Sequence, residues 1–137
     1  MNLNMRVQYD ELTVADDQSM AWQGEPFTGV AYETNSAGRV ISEAGYVDGL
    51  QRGLAREWYD SGQLRSESHY EHGSKHGMSR SWYDNGQLES EAEYKYSIKV
   101  RERTWNRDGT LVRDWHLPEN DEQRVLIDLL AKRFGKD

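Results

Sequence analysis

GLAREWYDSGQLRSESHYEHGSKH runs from Gly53 to His76, and its pattern recurs on both sides at a fixed spacing of 24 residues. The preceding copy, residues 29–52, reads GVAYETNSAGRVISEAGYVDGLQR, and the following copy, residues 77–100, reads GMSRSWYDNGQLESEAEYKYSIKV. A period of this size is typical of a repeat architecture, in which one supersecondary unit stacks on copies of itself. Such proteins usually present a binding surface rather than a single catalytic pocket.

The pattern weakens at both ends of the array. Residues 20–28 resemble the second half of a unit, because Trp22 lies 24 residues before Tyr46. Further on, the pattern continues one residue short, so that Trp105 corresponds to Trp82. Terminal units of a repeat array face water and are therefore atypical. We predict three segments: a lead-in strand and turn over residues 1–19, with the strand over 3–9; the repeats over 20–117; and a C-terminal helix over 118–137. The repeats divide into a half unit (20–28), three full units (29–52, 53–76 and 77–100) and a degenerate unit (101–117).

Each unit has the pattern of a β-hairpin. In the middle copy two stretches with alternating side chains flank Asp60-Ser61-Gly62, which predicts a tight turn. Asn85-Gly86 and Asp108-Gly109 predict two-residue type I′ turns, whose residues both have positive φ, whereas residues 73–77 predict a looser return. Strand alternation predicts two faces. The apolar face would carry Leu54, Trp58, Leu64 and Tyr70, and the polar face Glu57, Tyr59, Arg65, Glu67 and His69.

The predicted fold is an all-β repeat: an elongated, curved single sheet made of an antiparallel hairpin meander, with one C-terminal α-helix. The helix is expected from about Asp121 to Phe134, with Asn120 and Gln123 resembling a capping box and Gly135 ending it. A helix of this length is marginal alone in water, so we expect it to dock on the sheet. Its predicted docking stripe is Val125, Leu126, Leu129, Leu130 and Phe134.

Composition excludes several functions. The net charge is −7, which disfavours nucleic acid and anionic membranes as partners and would attract a basic protein; the alternative is that the charge only maintains solubility. There is no cysteine, so disulfides and thiolate chemistry are excluded. We find no membrane-spanning run and no apolar leader at the N-terminus, and we expect a cytoplasmic protein without membrane insertion.

Some side chains at repeat positions are candidates for chemistry. Glu43, Glu67 and Glu91 recur at the period, and Asp114 continues the series. On alternate strands they would lie about 10 Å apart, which is too far for a retaining glycosidase pair and slightly long for an inverting one. They therefore either pair with neighbouring cations or form an acidic stripe for a partner, and catalysis is disfavoured.

Aromatic residues also follow the period, and most are expected to build the sheet's core. Tyr59 and Tyr83 are instead candidates for an interface, where tyrosine is enriched. His72 and His76 have the spacing of a metal pair but lie in a turn, so solvated turn residues explain them better than a metal site. No nucleotide, phosphate or nucleophile motif is present, and we expect neither a cofactor nor an enzyme. The predicted core positions are Trp22, Tyr46, Trp58, Leu64, Tyr70, Trp82, Leu88, Tyr94 and Trp105.

The unit resembles the bacterial variant of the MORN repeat, whose pattern is roughly G-x-x-x-x-W/Y-Y-x-N-G-x-L-x-x-E-x-x-Y-x-x-G-x-x-H-G. The middle copy matches this pattern almost throughout, and the third copy departs from it at Tyr96-Ser97 and Val100-Arg101. The resemblance spans about residues 20–117. Bacterial proteins of this kind are commonly named YwqK-type antitoxins, so the resemblance implies an antitoxin or immunity protein that binds a cognate toxin. Eukaryotic relatives serve as scaffolds near membranes.

The functional expectation is therefore a protein-binding repeat that occludes a basic toxin, with carboxylates pairing the toxin's cations and tyrosines as anchors. Charge reversal at Glu67 and Glu91 is expected to weaken such binding without unfolding the domain. The alternative is a general scaffold or a repeat that self-associates through its sheet edges into a homodimer, without a toxin. A hydrolase is the third and weakest alternative.

Overall fold

The structure, a computed structural model, describes residues 5–135. Within that range nine strands form one open sheet, in the order β1-β5-β6-β7-β8-β9-β10-β11-β12, and β2-β3-β4 form a small second sheet. The elements are β1 Arg6–Gln8, β2 Thr13–Val14, β3 Met20–Trp22, β4 Glu25–Pro26, β5 Gly29–Thr34, β6 Val40–Val47, β7 Leu50–Trp58, β8 Leu64–Glu71, β9 Ser74–Trp82, β10 Leu88–Lys95, β11 Ile98–Trp105, β12 Leu111–His116 and α1 Glu122–Phe134.

The predicted all-β meander with one C-terminal helix is confirmed. From β5 to β12 each strand pairs antiparallel with the next one along the chain. Two features differ from the prediction: β1 runs parallel to β5, with Arg6 opposite Val30, and residues predicted as turn contribute to the small sheet. The lead-in strand is shorter than predicted, since a 3-10 turn begins at Tyr9. Positions 3 and 4 of that prediction lie outside the described residues.

The prediction of two-residue turns at Asn85-Gly86 and Asp108-Gly109 is wrong. The Tyr83 N–H donates to the Gln87 carbonyl at 2.9 Å, and the Gly86 N–H donates back to the Tyr83 carbonyl at 3.0 Å. This is a three-residue loop in which only the glycine has positive φ, +86°. An Asn-Gly or Asp-Gly pair suits both loop types, so the dipeptide alone does not distinguish them. The tight turn predicted at Asp60-Ser61-Gly62 is the same three-residue loop.

The two-residue turns lie instead on the return side of each unit, where a looser connection was predicted. His72 and Gly73 have φ of +48° and +81°, and Tyr96 and Ser97 have +53° and +66°. Positive φ at both central residues is the type I′ geometry, whose twist matches that of paired strands. The second residue of each turn also donates its N–H to the preceding unit, so one hydrogen bond ties neighbouring units at the 24-residue period. These bonds are Gly49 to Phe27 (2.7 Å), Gly73 to Gln51 (3.0 Å) and Ser97 to Lys75 (2.8 Å).

The stretch predicted as a leading half unit contains the paired strands β3 and β4, and its register differs from the predicted one. Trp22 lies opposite Glu25 across a two-residue turn, just as Val47 lies opposite Leu50. Trp22 therefore corresponds to Val47 rather than to Tyr46. Two residues, Glu25 and Pro26, separate this turn from Phe27, whereas only Leu50 separates the next turn from the equivalent Gln51. The extra residue restores the 24-residue spacing, so the alignment of the sequence copies is correct from Phe27 onward and one residue off before it.

Buried apolar residues cluster at the two ends of the long sheet. Phe27 is 1% exposed and packs with Val7, Ala31 and Tyr46 at the N-terminal end. At the C-terminal end Ile127 of the helix packs on Val100 and Leu117. Between these clusters most side chains are only half-buried, as expected where a single sheet has no second layer over it.

The helix begins and ends close to the predicted positions. Asp121, rather than Asn120, is the N-cap and accepts a hydrogen bond from the Gln123 N–H at 2.9 Å. Gly135 ends the helix in the left-handed conformation, as predicted. Most of the predicted docking stripe is wrong, because the side chain buried on the sheet is that of Ile127, although Phe134 of the stripe contacts the rings of His72 and Tyr96. Four of the five residues in the predicted stripe stay exposed: Val125 (62%), Leu126 (47%), Leu129 (58%) and Phe134 (51%).

Candidate binding surface

One face of the long sheet contains a groove with a volume of about 480 Å³ that extends from Ala31 of β5 to Glu102 of β11. Its floor consists mostly of small side chains, and four tyrosines also line it. The floor residues lie opposite one another across successive strands. They form one row of Ala31, Ala44, Ala55, Ser68, Ser79 and Ala92, and a second row that includes Ser42, Glu57, Ser66, Ser81 and Ser90. The tyrosines are Tyr9, Tyr46, Tyr70 and Tyr94.

The groove was not predicted from the sequence, in which the candidates for binding were large or charged residues. The signal is nevertheless in the repeat, since Ala44, Ser68 and Ala92 recur at the 24-residue period. Because Cβ atoms alternate across a strand, a column of small residues leaves one face hollow along the whole array. The groove is therefore a property of the repeat and not of one unit.

Polar groups occur in the groove at defined places. Lys75 Nζ lies 5.0 Å from the ring centre of Tyr94, within the range of a cation–π contact. Glu102 accepts from Lys99 Nζ at 2.6 Å and from Arg113 Nε at 3.0 Å, and these cations hold the pKa of its carboxyl below the ordinary value. Burial raises the pKa of the Tyr70 hydroxyl, so this ring stays neutral. The groove thus combines aromatic rings with hydrogen-bonding groups, as protein-binding surfaces commonly do.

The opposite face of the sheet carries a ladder of alternating charges. Glu67 lies directly opposite Arg56 on one side and Arg80 on the other, and Glu91 lies between Arg80 and Arg103. Each carboxylate of the series forms an ion pair with an arginine. The shortest N···O distances are Arg6–Glu43 3.3 Å, Arg56–Glu67 2.8 Å, Arg80–Glu91 2.9 Å and Arg103–Asp114 3.5 Å.

Two alternatives were predicted for the repeated carboxylates: pairing with neighbouring cations or an acidic stripe for a partner. The ladder has the first arrangement, since each of its carboxylates pairs with an arginine; these carboxylates are Glu43, Glu67, Glu91 and Asp114. Because a cation stands between successive carboxylates, this row carries no continuous acidic stripe. The pairs are partly exposed, so each contributes no more than about 1 kcal/mol to stability. A role in partner binding stays a prediction for these four residues.

The two interface candidates Tyr59 and Tyr83 also make contacts within the array. Each hydroxyl donates to a backbone carbonyl of the next unit, from Tyr59 to Trp82 at 2.7 Å and from Tyr83 to Trp105 at 2.8 Å. Arg107 lies 5.0 Å from the centre of the Tyr83 ring. These tyrosines therefore connect consecutive units at the loop side, and their role as partner anchors stays a prediction.

Of the nine predicted core positions, Tyr46 is fully buried at 5% exposure. Trp22, Trp58, Leu64, Tyr70, Trp82, Leu88, Tyr94 and Trp105 are half-buried. The predicted division into faces is wrong in the middle unit. Leu54 lies opposite His69 and shares the face of Arg56 and Glu67, whereas Tyr70 lies opposite Gly53 on the groove face. Likewise Glu57, opposite Ser66, belongs to the groove face and not to the face of Glu67.

The two histidines of the return region have structural contacts. The His76 Nδ1 accepts a hydrogen bond from the Tyr96 N–H at 3.1 Å, and the His72 ring stacks on Phe134 of the helix at 6.4 Å. Across residues 5–135 no three His, Cys, Asp or Glu side chains lie close enough together to hold a metal ion. No helix in that range is long and apolar enough to span a membrane.

Negative charge is distributed unevenly along the chain. The stretch from residue 7 to residue 38 contains six acidic residues and no lysine or arginine, so it contributes −6 to the net charge of −7. The remainder of the chain, including the charge ladder, is almost balanced. The acidic residues of this stretch are Asp10, Glu11, Asp16, Asp17, Glu25 and Glu33.

An open sheet of stacked hairpins, with a groove built from equivalent positions of each unit, defines a β-hairpin repeat protein. Residues 51–72 and 75–96, which are the hairpins β7–β8 and β9–β10, match the family model described as the MORN repeat variant. These two hairpins are therefore similar to MORN repeats, a non-catalytic repeat family whose members generally bind proteins or membranes. A search of curated proteins finds no match to this chain.

Proposed function

We propose that this chain is a non-catalytic, cytoplasmic protein-binding repeat protein of bacterial type, an antitoxin or immunity protein that occludes a basic toxin. The observation that carries the proposal is the groove, which spans seven strands and is lined by rings and small side chains. A segment of a partner can approach the sheet backbone closely over such a floor. A surface that extends over several units is how repeat proteins bind.

The groove face is preferred over the opposite face for two reasons. The opposite face has a hollow of about 500 Å³ around Val30, Val47 and Leu54, but it covers only β5 to β7. That face also carries the charge ladder, whose ion pairs a partner would have to break or leave in place. Glu43, Arg56 and Arg80 of the ladder also line part of the groove, and Glu102 binds Lys99 and Arg113 at its β11 end. The rows of small residues from β5 to β10, however, can be contacted without breaking an ion pair of the described residues.

Electrostatics support a basic partner, but not through the residues first considered. Because the ladder is internally paired, the attraction comes from the acidic stretch between residues 7 and 38. A net charge of −6 within 32 residues would accelerate the approach of a basic protein at low salt. Binding is then completed in the groove, where tyrosine rings provide contact area at a low entropy cost.

The experiment identifies the partner by position-specific photocrosslinking in the cells that make this chain. A crosslinker at Ala55 faces the groove, and one at its neighbour Leu54, which is 43% exposed, faces the other side of the sheet. We expect one basic protein to be captured from Ala55 and not from Leu54. Capture from Leu54 alone would contradict the choice of the groove face.

Neutralisation is then measured by expressing the captured protein in a bacterial host with and without this chain. We expect growth arrest that the wild-type chain relieves, that Ala55→Arg fails to relieve, and that Leu54→Arg still relieves. Thermal melts of both variants establish that they fold. A captured protein that binds in the groove but does not arrest growth would refute the antitoxin function and leave a scaffold.

A further inference from the structure

Three tyrosines at the same position of successive units divide the groove into two intervals. Tyr46, Tyr70 and Tyr94 lie 24 residues apart on β6, β8 and β10, and all three line the groove. The first interval lies between Tyr46 and Tyr70 over β7, and the second lies between Tyr70 and Tyr94 over β9. Alternate strands of a sheet are about 10 Å apart, so each interval is about two strand spacings wide.

The second interval already contains a cation of this chain. Lys75 of β9 lies opposite Tyr70, and its Nζ is 5.0 Å from the ring centre of Tyr94. The face of an aromatic ring attracts a cation at this distance. Further along β9 the interval is neutral, because Ser81 lies there with its hydroxyl 2.6 Å from that of Ser90. A long cationic side chain therefore fits between two of the tyrosines.

The first interval has the opposite charge pattern at the equivalent positions. Gln51 lies 24 residues before Lys75 and opposite Tyr46, and it carries no charge. Glu57 lies 24 residues before Ser81, and its carboxylate lines the groove. The first interval therefore has a negative charge and lacks the cation that the second interval has.

The carboxylate of Glu57 is available to a partner. Its side chain is exposed, and its Oε1 accepts a hydrogen bond from the Ser66 hydroxyl at 3.1 Å. It forms no ion pair with any residue from 5 to 135, whereas the other two carboxylates of the groove, Glu43 and Glu102, each have a cationic partner. Burial and, next to it, the negative charge of Glu57 raise the pKa of the Tyr70 hydroxyl, which indicates that the carboxylate lies near this ring.

We propose that the first interval binds an arginine side chain of the basic partner, with the guanidinium on the ring of Tyr70 and hydrogen-bonded to Glu57. This inference rests on the proposed binding of a basic protein in the groove, and it names the side chain that anchors that protein. A guanidinium suits the interval better than an ammonium, because it is planar, stacks on aromatic rings and donates two parallel hydrogen bonds to a carboxylate. Lys75 on Tyr94 shows the corresponding ring contact within this chain.

The experiment is an NMR titration of the full chain at low salt with a short synthetic peptide that has one central arginine between valines. The comparison peptide carries citrulline instead, which keeps the shape of arginine and removes its charge. We expect the arginine peptide to bind about tenfold more tightly, since a hydrogen bond between charged groups is worth about that factor. The amide signals of Ala55 and Ser66, on either side of the Glu57 carboxylate, should shift with the arginine peptide.

Two variants test the assignment of the residues. Glu57→Gln should bind the arginine peptide about tenfold more weakly, close to the affinity of the citrulline peptide. Its matched control is Glu25→Gln, which removes the same charge from an exposed position in β4 and should change the affinity less than about twofold. Gln51→Lys gives the first interval a cation equivalent to Lys75 and should also weaken binding about tenfold. Unchanged amide spectra away from β7 and β8 establish that the variants fold.

Equal affinity for the arginine and citrulline peptides, including no detectable binding of either, would overturn the arginine site. Full retention of affinity in Glu57→Gln would overturn it as well. Neither result decides whether the groove binds a toxin, because that function is tested separately by crosslinking from Ala55 and by the growth assay. Conversely, selective binding of the arginine peptide would support the site even where the captured protein does not arrest growth.

Discussion

Substitution of Gly49 by alanine is expected to destabilise the junction between the leading half unit and the first full repeat. Gly49 is buried, has φ of +84°, and donates its N–H to the Phe27 carbonyl at 2.7 Å. A Cβ atom at this position would lie 2.7 Å from the Met20 carbonyl oxygen and 2.9 Å from the Ser19 Cβ. The hydrogen bonds fix both backbones, so the clash cannot be relieved by a side-chain rotation.

Gly24 separates the two contributions to the loss. It is the second residue of the same kind of turn and has the same φ, +84°, but a Cβ there would meet nothing within 4 Å. Gly24→Ala should therefore cost only the left-handed strain, about 1 kcal/mol after the gain from a less flexible unfolded chain. Gly49→Ala adds the steric clash, for a total of about 2–4 kcal/mol.

The assay is urea unfolding followed by tryptophan fluorescence, which gives the free energy of unfolding of each variant. The expected order of stability is the wild-type chain, then Gly24→Ala, then Gly49→Ala. If the two variants lose the same free energy, the close contact between the small sheet and the first return turn is not a constraint, and the reasoning is refuted.

Two further variants test the contacts between units and the ion pairs of the groove. Tyr83→Phe removes one hydroxyl donor to the next unit and should cost about 1 kcal/mol in urea unfolding, whereas Tyr32→Phe, whose hydroxyl has no hydrogen bond within residues 5–135, should cost close to nothing. Glu102→Gln should cost about 1 kcal/mol at neutral pH, because Lys99 and Arg113 stabilise the carboxylate. Since the pKa of this carboxyl is lowered by folding, its contribution is present above the ordinary value of 4.5 and is lost as the pH falls below it, so the difference from the wild-type chain should shrink at about pH 3. A difference that grows in acid would contradict this assignment.

The charge ladder changes how the acidic residues should be tested. Reversal at Glu67 and Glu91 was expected to weaken partner binding without unfolding the domain, but a lysine at Glu67 would stand between Arg56 and Arg80. Three cations in a row would destabilise the sheet itself, so a loss of binding could not be assigned to the interface. Glutamine substitutions remove the carboxylate charge without adding a cation and are the sharper test.

The sequence by itself determined the architecture. The 24-residue period required stacked units, and alternation within each unit required paired strands, which together leave an antiparallel meander as the simplest outcome. For the repeated carboxylates it left two alternatives, pairing with neighbouring cations or an acidic stripe, and the structure shows that each one pairs with an arginine. Such local, periodic patterns can be read from the sequence because equivalent positions of the units occupy similar environments and therefore carry similar residues.

Only the tertiary structure decided which face of the sheet is hollow, which connections are two-residue turns and which are three-residue loops, and which side of the helix is buried. A turn's loop length depends on how many residues the paired strands leave between them, and Asn-Gly pairs suit more than one length. The helix has apolar residues on several sides, and its attachment after β12 turned Ile127 toward Val100 and left Val125 and Leu129 exposed. Register and docking depend on contacts between elements far apart in the chain, and for that reason no local pattern contains them.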